Sequence, residues 1–218
     1  RQRDGQIDLG ANEFSRIRRV PLDYPEIQLA IDAAMSGDTI LVADGTYPGN
    51  LNFKGKAISV RSELGAQNCM INAGTSGRAL VFSSQETADA ILEGFTITGG
   101  SIESSGGGIL CDNNACPTIR NCILKGNQAQ YGGGLACLNS ASPVLINCLV
   151  YENVADQGGG GILCDSSSTL TLTHGTVVNN TSNTPDSSGG IHFAPGGRGI
   201  ITNSILRGNE PEQIQNDG

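Results

Sequence analysis

Residues 106–131 read GGGILCDNNACPTIRNCILKGNQAQY and residues 132–157 read GGGLACLNSASPVLINCLVYENVADQ, two stretches that align without a gap. Each opens on glycines followed by an apolar triplet, and each carries Asn-Cys and two apolar residues further on, at Asn121 and Asn147. The pattern continues along the chain. The glycine marker recurs at Gly108, Gly134, Gly161 and Gly190, and the second marker at Asn121, Asn147, His174 and Asn203, both in steps of 26, 27 and 29 residues. A trailing asparagine keeps the same phase at Asn127, Asn153, Asn180 and Asn209. Two independent markers that drift together define a repeat.

Within each repeat, short β-branched and aliphatic runs alternate with Gly/Asn/Ser turns, and beyond position 34 no helical 3.6-residue pattern reaches ten residues. The expected fold is all-β. Three strands in about 27 residues is the arithmetic of a parallel β-helix, a solenoid whose coils stack about 4.8 Å apart. Alternation inside the strands then predicts inward columns: Ile109/Leu135/Ile162/Ile191, Cys111/Cys137/Cys164/Phe193, Leu92/Ile119/Leu145/Leu172/Ile201, Phe95/Cys122/Cys148/Gly175/Ser204 and Ile97/Leu124/Val150/Val177/Leu206. All are apolar or small, as a dry interior requires. Asn121, Asn147 and Asn203 stack at one bend and Asn127, Asn153, Asn180 and Asn209 at another, where amides can bond rung to rung as corner ladders. The glycine runs at 106–108, 132–134 and 158–161 enter strands where the backbone needs conformations that a Cβ forbids.

Upstream, residues 24–34 place Ile27, Ala30, Ile31 and Ala34 on one face, with Pro25 near the start and Gly37 beyond, which predicts one amphipathic helix. Laid across the first coil, it would cap the open apolar end. The domain expected is therefore 20–218, with its last coil, from Ile205, incomplete. Residues 1–19 hold five arginines against three acids, a local +2, so that residues 20–218 carry −10 of the net −8. They read as a separate extension, able to add a strand to a neighbour's open end.

At 218 residues, 38% hydrophobic and 16% charged, the chain suits one domain with a real interior, and 31 glycines with no tryptophan make that interior aliphatic and small. Only three lysines and a net negative charge exclude a nucleic-acid backbone as partner. No run of eighteen apolar residues is present, so membrane insertion is not expected. The absence of an initial Met reads as a processed or excised piece.

These residues resemble the right-handed parallel β-helix, or pectate-lyase-like, superfamily. The likeness is carried by Tyr24-Pro25-x-Ile27-Gln28-x-Ala30-Ile31 running into Gly37-Asp38-Thr39-Ile40-x-Val42 and Gly45-Thr46-Tyr47, and by the Gly-Gly-Gly-Ile-x-Cys and Asn-Cys-x-Leu-x-Gly-Asn repeats, which look like its secreted bacterial branch. Pairs such as Leu124-x-x-Asn127-x-Ala129 with Gly133-Gly134-Leu135 are similar to the repeats of polymorphic outer-membrane proteins. Asp4 to Phe14 looks like the close of an upstream module. The resemblance implies an extracellular or cell-surface location and brings polysaccharide lyases, galacturonases and esterases into view.

No complete signature of those enzymes is present. No adjacent Asp pair occurs, and His174 in Thr-His-Gly has no partners of galacturonase type. Arg120 follows Glu93 in an outward column, which predicts a cross-strand ion pair rather than a catalytic base. Asp112 and Asp165 share an outward column two rungs apart with Leu138 between. Their separation of roughly 9–10 Å touches the upper limit for an inverting carboxylate pair, roughly 9.5 Å. The expectation is solvated surface aspartates, with hydrolysis or a Ca²⁺ ion as alternatives; no other metal or cofactor is expected. His174 replaces an asparagine of the corner ladder, and His192 lies outward beside the turn 181–188 without a second ligand. Tyr131 and Tyr151 fall at turns where rings can stack on sugar. Five cysteines fall in inward columns, while Cys69 and Cys116 do not, and their pairing is open. Together these point to a non-catalytic structural or adhesive solenoid associating head to tail, with a polysaccharide-binding or polysaccharide-degrading protein as the alternative.

Overall fold

The computed structural model describes residues 16–218, so the expected strand donation by residues 1–14 and the module-like segment Asp4 to Phe14 lie outside them. Short strands from successive coils pair in parallel to make three long sheets and one short one. Sheet A has eight strands, from Ile17–Val20 to Arg198–Thr202; sheet B has seven, from Gly45–Pro48 to Ile205–Arg207; sheet C has seven, from Leu51–Asn52 to Glu212–Asn216. Sheet D holds four strands, from Ser101–Ser105 to Thr181–Ser182, and adds a fourth side to the middle coils.

Register places like on like. Cys111, Cys137, Cys164 and Phe193 are consecutive partners, as are Leu92, Ile119, Leu145, Leu172 and Ile201, and all but the last members of each column are fully buried or nearly so. The columns also run further down than the repeat does: Ile40 and Val60 lie beneath Leu92, and Leu51 and Leu80 beneath Ile109. In these lower coils Thr39 pairs with Ser59 and Ser59 with Ile91, steps of 20 and 32 residues. The regular period therefore begins only at Ile91, because turn length varies freely where no ladder has to stay in phase. Phe53 and Phe82, 4.5 Å apart between ring centroids, and Phe95 fill the wider lower interior.

Asn127, Asn153, Asn180 and Asn209 are buried to within 2% of completely. In each of the first three, the backbone N–H and the side-chain Nδ2 both donate to the Oδ1 of the asparagine one coil on, at 2.9–3.1 Å. The second Nδ2 hydrogen of Asn153 goes back to the Leu124 carbonyl at 2.9 Å. Glycine and asparagine markers turn out to be one device rather than two independent ones. A Cβ on Gly108, Gly134 or Gly161 would lie 2.9, 3.1 and 3.1 Å from the Nδ2 of Asn127, Asn153 and Asn180, besides meeting a carbonyl oxygen of the next glycine run at 2.5–2.8 Å.

The other bend has a different cause from the one expected. Asn121, Asn147, His174 and Asn203 all have φ between 50° and 54°, in the left-handed region, and Gly94 precedes them in the column at 77°. Asparagine tolerates that backbone better than other side chains. Rung-to-rung bonds are secondary there: Asn147 donates to Asn121 Oδ1 at 2.7 Å and Asn203 contacts His174 Nε2 at 3.3 Å, both exposed to solvent.

Three boundaries differ from expectation. Helix α1 covers only Ile27–Ala33, since Glu26 and Ala34 are extended; its Ile27, Ala30 and Ile31 lie on the first coils, and Lys56 Nζ donates to the carbonyls of Ile31, Asp32 and Ala34 at its end. The division at 19/20 falls inside the first strand, Ile17–Val20, which Asp38 ties down by accepting from Arg16 N and Arg18 Nε. The segment from Ile205 is not an incomplete coil, because Ile205–Arg207 and Glu212–Asn216 join sheets B and C above Arg198–Thr202 in sheet A.

Two substitutions separate the ladders. Replacing Asn153 by Ala orphans two buried donors of Asn127, each costing about 1–3 kcal/mol, so guanidinium denaturation is expected to show a loss of about 3 kcal/mol or more. Asn147→Gly, which keeps the left-handed backbone, is expected to cost about 0.5 kcal/mol.

Candidate functional site

The residues weighed for catalysis are held by one another. Arg120 donates to Glu93 Oε2 at 2.8 Å, and Asn121 Nδ2 reaches the other oxygen of Glu93 at 3.2 Å. Asn139, in the turn of the intervening coil, joins the two aspartates: its Nδ2 donates to Asp112 Oδ1 at 2.7 Å and its backbone N–H to Asp165 Oδ2 at 2.7 Å. Partial burial would raise the Asp165 pKa, but the nearby Ser168 hydroxyl, the N–H groups of Asn139 and Ser167 and the Ser167 hydroxyl outweigh it and hold the carboxyl below its ordinary value. A general acid needs the opposite shift. Cation and acid thus act as turn fasteners, and the space between the aspartates is occupied.

His192 links two side chains that the repeat does not predict, with Nδ1 3.1 Å from Ser187 Oγ and Nε2 2.9 Å from Asp217 Oδ2. Serine, histidine and aspartate in contact invite comparison with a hydrolytic triad. Ser187 is 3% exposed, so substrate has no path to its hydroxyl, and the chain of bonds clamps the turn before Ser188–Phe193 to the last strand. The turn reading missed it because Asp217 arrives from another coil.

The best-formed hollow runs along the bend between sheets A and B. About 470 Å³ in volume, it is lined by Asn121, Asn147 and His174 on one side, Ile123, Leu149 and Thr176 on the floor, and residues 64–68 as an end wall. Across Gly65 lies a second hollow of about 300 Å³ with Arg61, Glu63 and Glu93. The larger one is lined by amide, hydroxyl, imidazole and aliphatic groups. Its wall belongs to an out-of-period coil, which is why the repeat did not reveal it. The tyrosines stand elsewhere: Tyr131 packs on the outer cluster of Leu110, Ala136 and Leu163 and bonds Gln157, and Tyr151 lies under the Lys125 ammonium, 5.9 Å from the ring centroid.

All seven cysteines are free. Burial pushes the Cys111, Cys122 and Cys137 thiols well up, and those of Cys69 and Cys148 to about 11. Among the described residues no group of three or more His, Cys, Asp or Glu gathers as a metal would require, and no helix is long and apolar enough to cross a membrane.

The family model for the right handed beta helix region matches residues 51–218. No curated protein and no solved structure matches the chain. With most of its length matched, the chain belongs to the right-handed β-helix family.

Two measurements check this geometry. Because the Asp165 pKa is depressed by folding, its stabilisation is present at neutral pH and disappears as pH falls through the ordinary carboxylate range. Asp165→Asn should therefore be less stable than wild type at pH 7, with the difference vanishing by about pH 3. Titration of the native protein with a disulfide reagent should find one rapidly reacting thiol, the half-exposed Cys116, and six that wait for unfolding.

Proposed function

We propose that this right-handed β-helix is a non-catalytic structural or adhesive module of a secreted or cell-surface protein, a rigid rod that meets its partners end to end. The observation that carries the reading is the destination of its polar side chains. Asn127 to Asn209 bond one another within the wall, Arg120 is held by Glu93, and Asp112 and Asp165 are held by Asn139. Catalysis requires charged groups poised against a substrate, whereas these are directed at neighbouring rungs. Location outside the cell is supported by the likeness of the glycine and Asn-Cys repeats to secreted bacterial proteins. End-to-end contact is supported by Ile200, Ile205 and Ile214 on the last strands, 56%, 57% and 42% exposed.

A second reading has its own support in the hollow between sheets A and B. Its lining of Asn147, Gln67, Thr176 and His174 over aliphatic Ile123 and Leu149 suits a neutral hydroxylated chain lying along the rod axis, such as a polysaccharide.

Incubation with a panel of neutral and uronic-acid polysaccharides is expected to yield neither unsaturated products nor new reducing ends. Turnover abolished by Asp165→Ala or Arg120→Ala would overturn the non-catalytic reading. Retention on an immobilised neutral polysaccharide, lost in Asn147→Ala, would establish the second.

A further inference from the structure

A sheet of stacked rungs ends in an edge whose N–H and C=O groups can template another strand. In all four sheets the edge nearer the N-terminus is already engaged. On the first strand of sheet A, Arg19 turns its peptide groups outward; its N–H donates to Asp23 Oδ2 at 2.7 Å, and its carbonyl accepts from Asp23 N at 2.8 Å and Tyr24 N at 3.1 Å. On the first strand of sheet C, the side-chain amide of Gln28 stands in for a missing strand: Oε1 accepts from Asn52 N at 2.8 Å, and Nε2 donates to Asn52 O at 3.2 Å. On the first strand of sheet B, Gly45 and Gly49 donate inward to Asn68 and Asn72. Alternation therefore sets Pro48 at the outer edge, where it has no N–H to offer. On the first strand of sheet D, Gly77 and Ser101 exchange both backbone bonds and Arg78 Nε donates to Ser105 O at 3.0 Å. Four edges are blocked by four different devices, and α1 covers the apolar interior between them.

The opposite end is treated differently. Gln213 closes the buried ladder, accepting from Asn209 N and Nδ2 at 3.2 and 2.8 Å. Beside it a hollow of about 580 Å³ opens among Phe193, Ile200 and Ile214.

We propose that Asp23, Gln28, Pro48 and the Gly77–Arg78 pair seal the N-terminal end against strand addition, so that the chain joins a second copy of itself only through the end formed by Arg198–Asn216. This rests on the end-to-end reading above and restricts it. A fibre needs two different open ends on every copy, whereas one open end used by both partners closes as a two-fold pair. The head-to-tail array expected from sequence becomes a closed dimer.

The test uses light scattering and electron microscopy of the 218-residue chain over a wide concentration range, with hydrogen exchange read at single amides. Wild type is expected to pass from monomer to pair and no further. The double variant Asp23→Ala, Gln28→Leu, with two edges freed, is expected to grow longer rods. In Gln28→Leu alone the Asn52 amide should exchange about tenfold faster or more while the sheet interiors keep their protection, which also shows that the variant is folded. Wild-type rods of many copies would overturn the seal and leave end-to-end contact standing. Monomers at every concentration in both proteins would overturn end-to-end contact itself. An unchanged Asn52 amide, or a double variant that stops at pairs, would remove Gln28 and Asp23 from the role assigned to them.

Discussion

A carboxamide buried in the wall of a solenoid has two hydrogens and an oxygen to satisfy, and the groups within its reach belong to the adjoining coils. Asn153 meets that demand by accepting twice from Asn127 and donating to Asn180 and to the Leu124 carbonyl. Each such residue makes the next one necessary, since removing it strands donors where water cannot come. The requirement propagates outward. It holds the coil length near 27 residues from Ile91 onward, and it excludes any Cβ from Gly108, Gly134 and Gly161, which lie against the amides.

Packing then follows the register that the amides impose. Leucine, isoleucine, valine and cysteine stack in columns with no aromatic residue above Phe95 until Phe193, which a coil of constant girth favours. Lower coils, free of the ladder, vary in length and take Phe53, Phe82 and Phe95 instead. The interior leaves its thiols protonated and shielded, so the cysteines serve as small apolar fillers.

Outside the wall the same economy of partners shapes the surface. Glu93 takes Arg120, Asn139 takes Asp112 and Asp165, and Asp217 takes His192. A scaffold whose charges are bound to neighbouring rungs presents shape, amides and ends, which is what an element of assembly needs. At the ends the chain distinguishes between stopping and continuing. Side chains of Asp23 and Gln28 imitate strand partners at one end, whereas Gln213 imitates only the next ladder asparagine at the other.

Periodicity and residue type were enough to obtain the solenoid, the inward columns, the buried ladder and the ion pair of Arg120 with Glu93, because each depends on equivalent positions one repeat apart, and that distance is written along the chain. They were also enough to place a helix before the first coil, though not its true limits at Ile27 and Ala33. What folding alone decided involves partners from different places in different coils. Residues 64–68 form a wall beside Asn147 and His174, Asn139 fills the gap between Asp112 and Asp165, Asp217 reaches His192, and Gln28 meets the peptide group of Asn52. The left-handed backbone at Asn121, Asn147 and His174 belongs with these, since asparagine marks both bends alike in sequence and only the direction of the chain assigns one to the ladder and the other to the turn. Repeats specify whatever recurs; the irregular contacts that define surfaces and ends occur once, and nothing in a period predicts them.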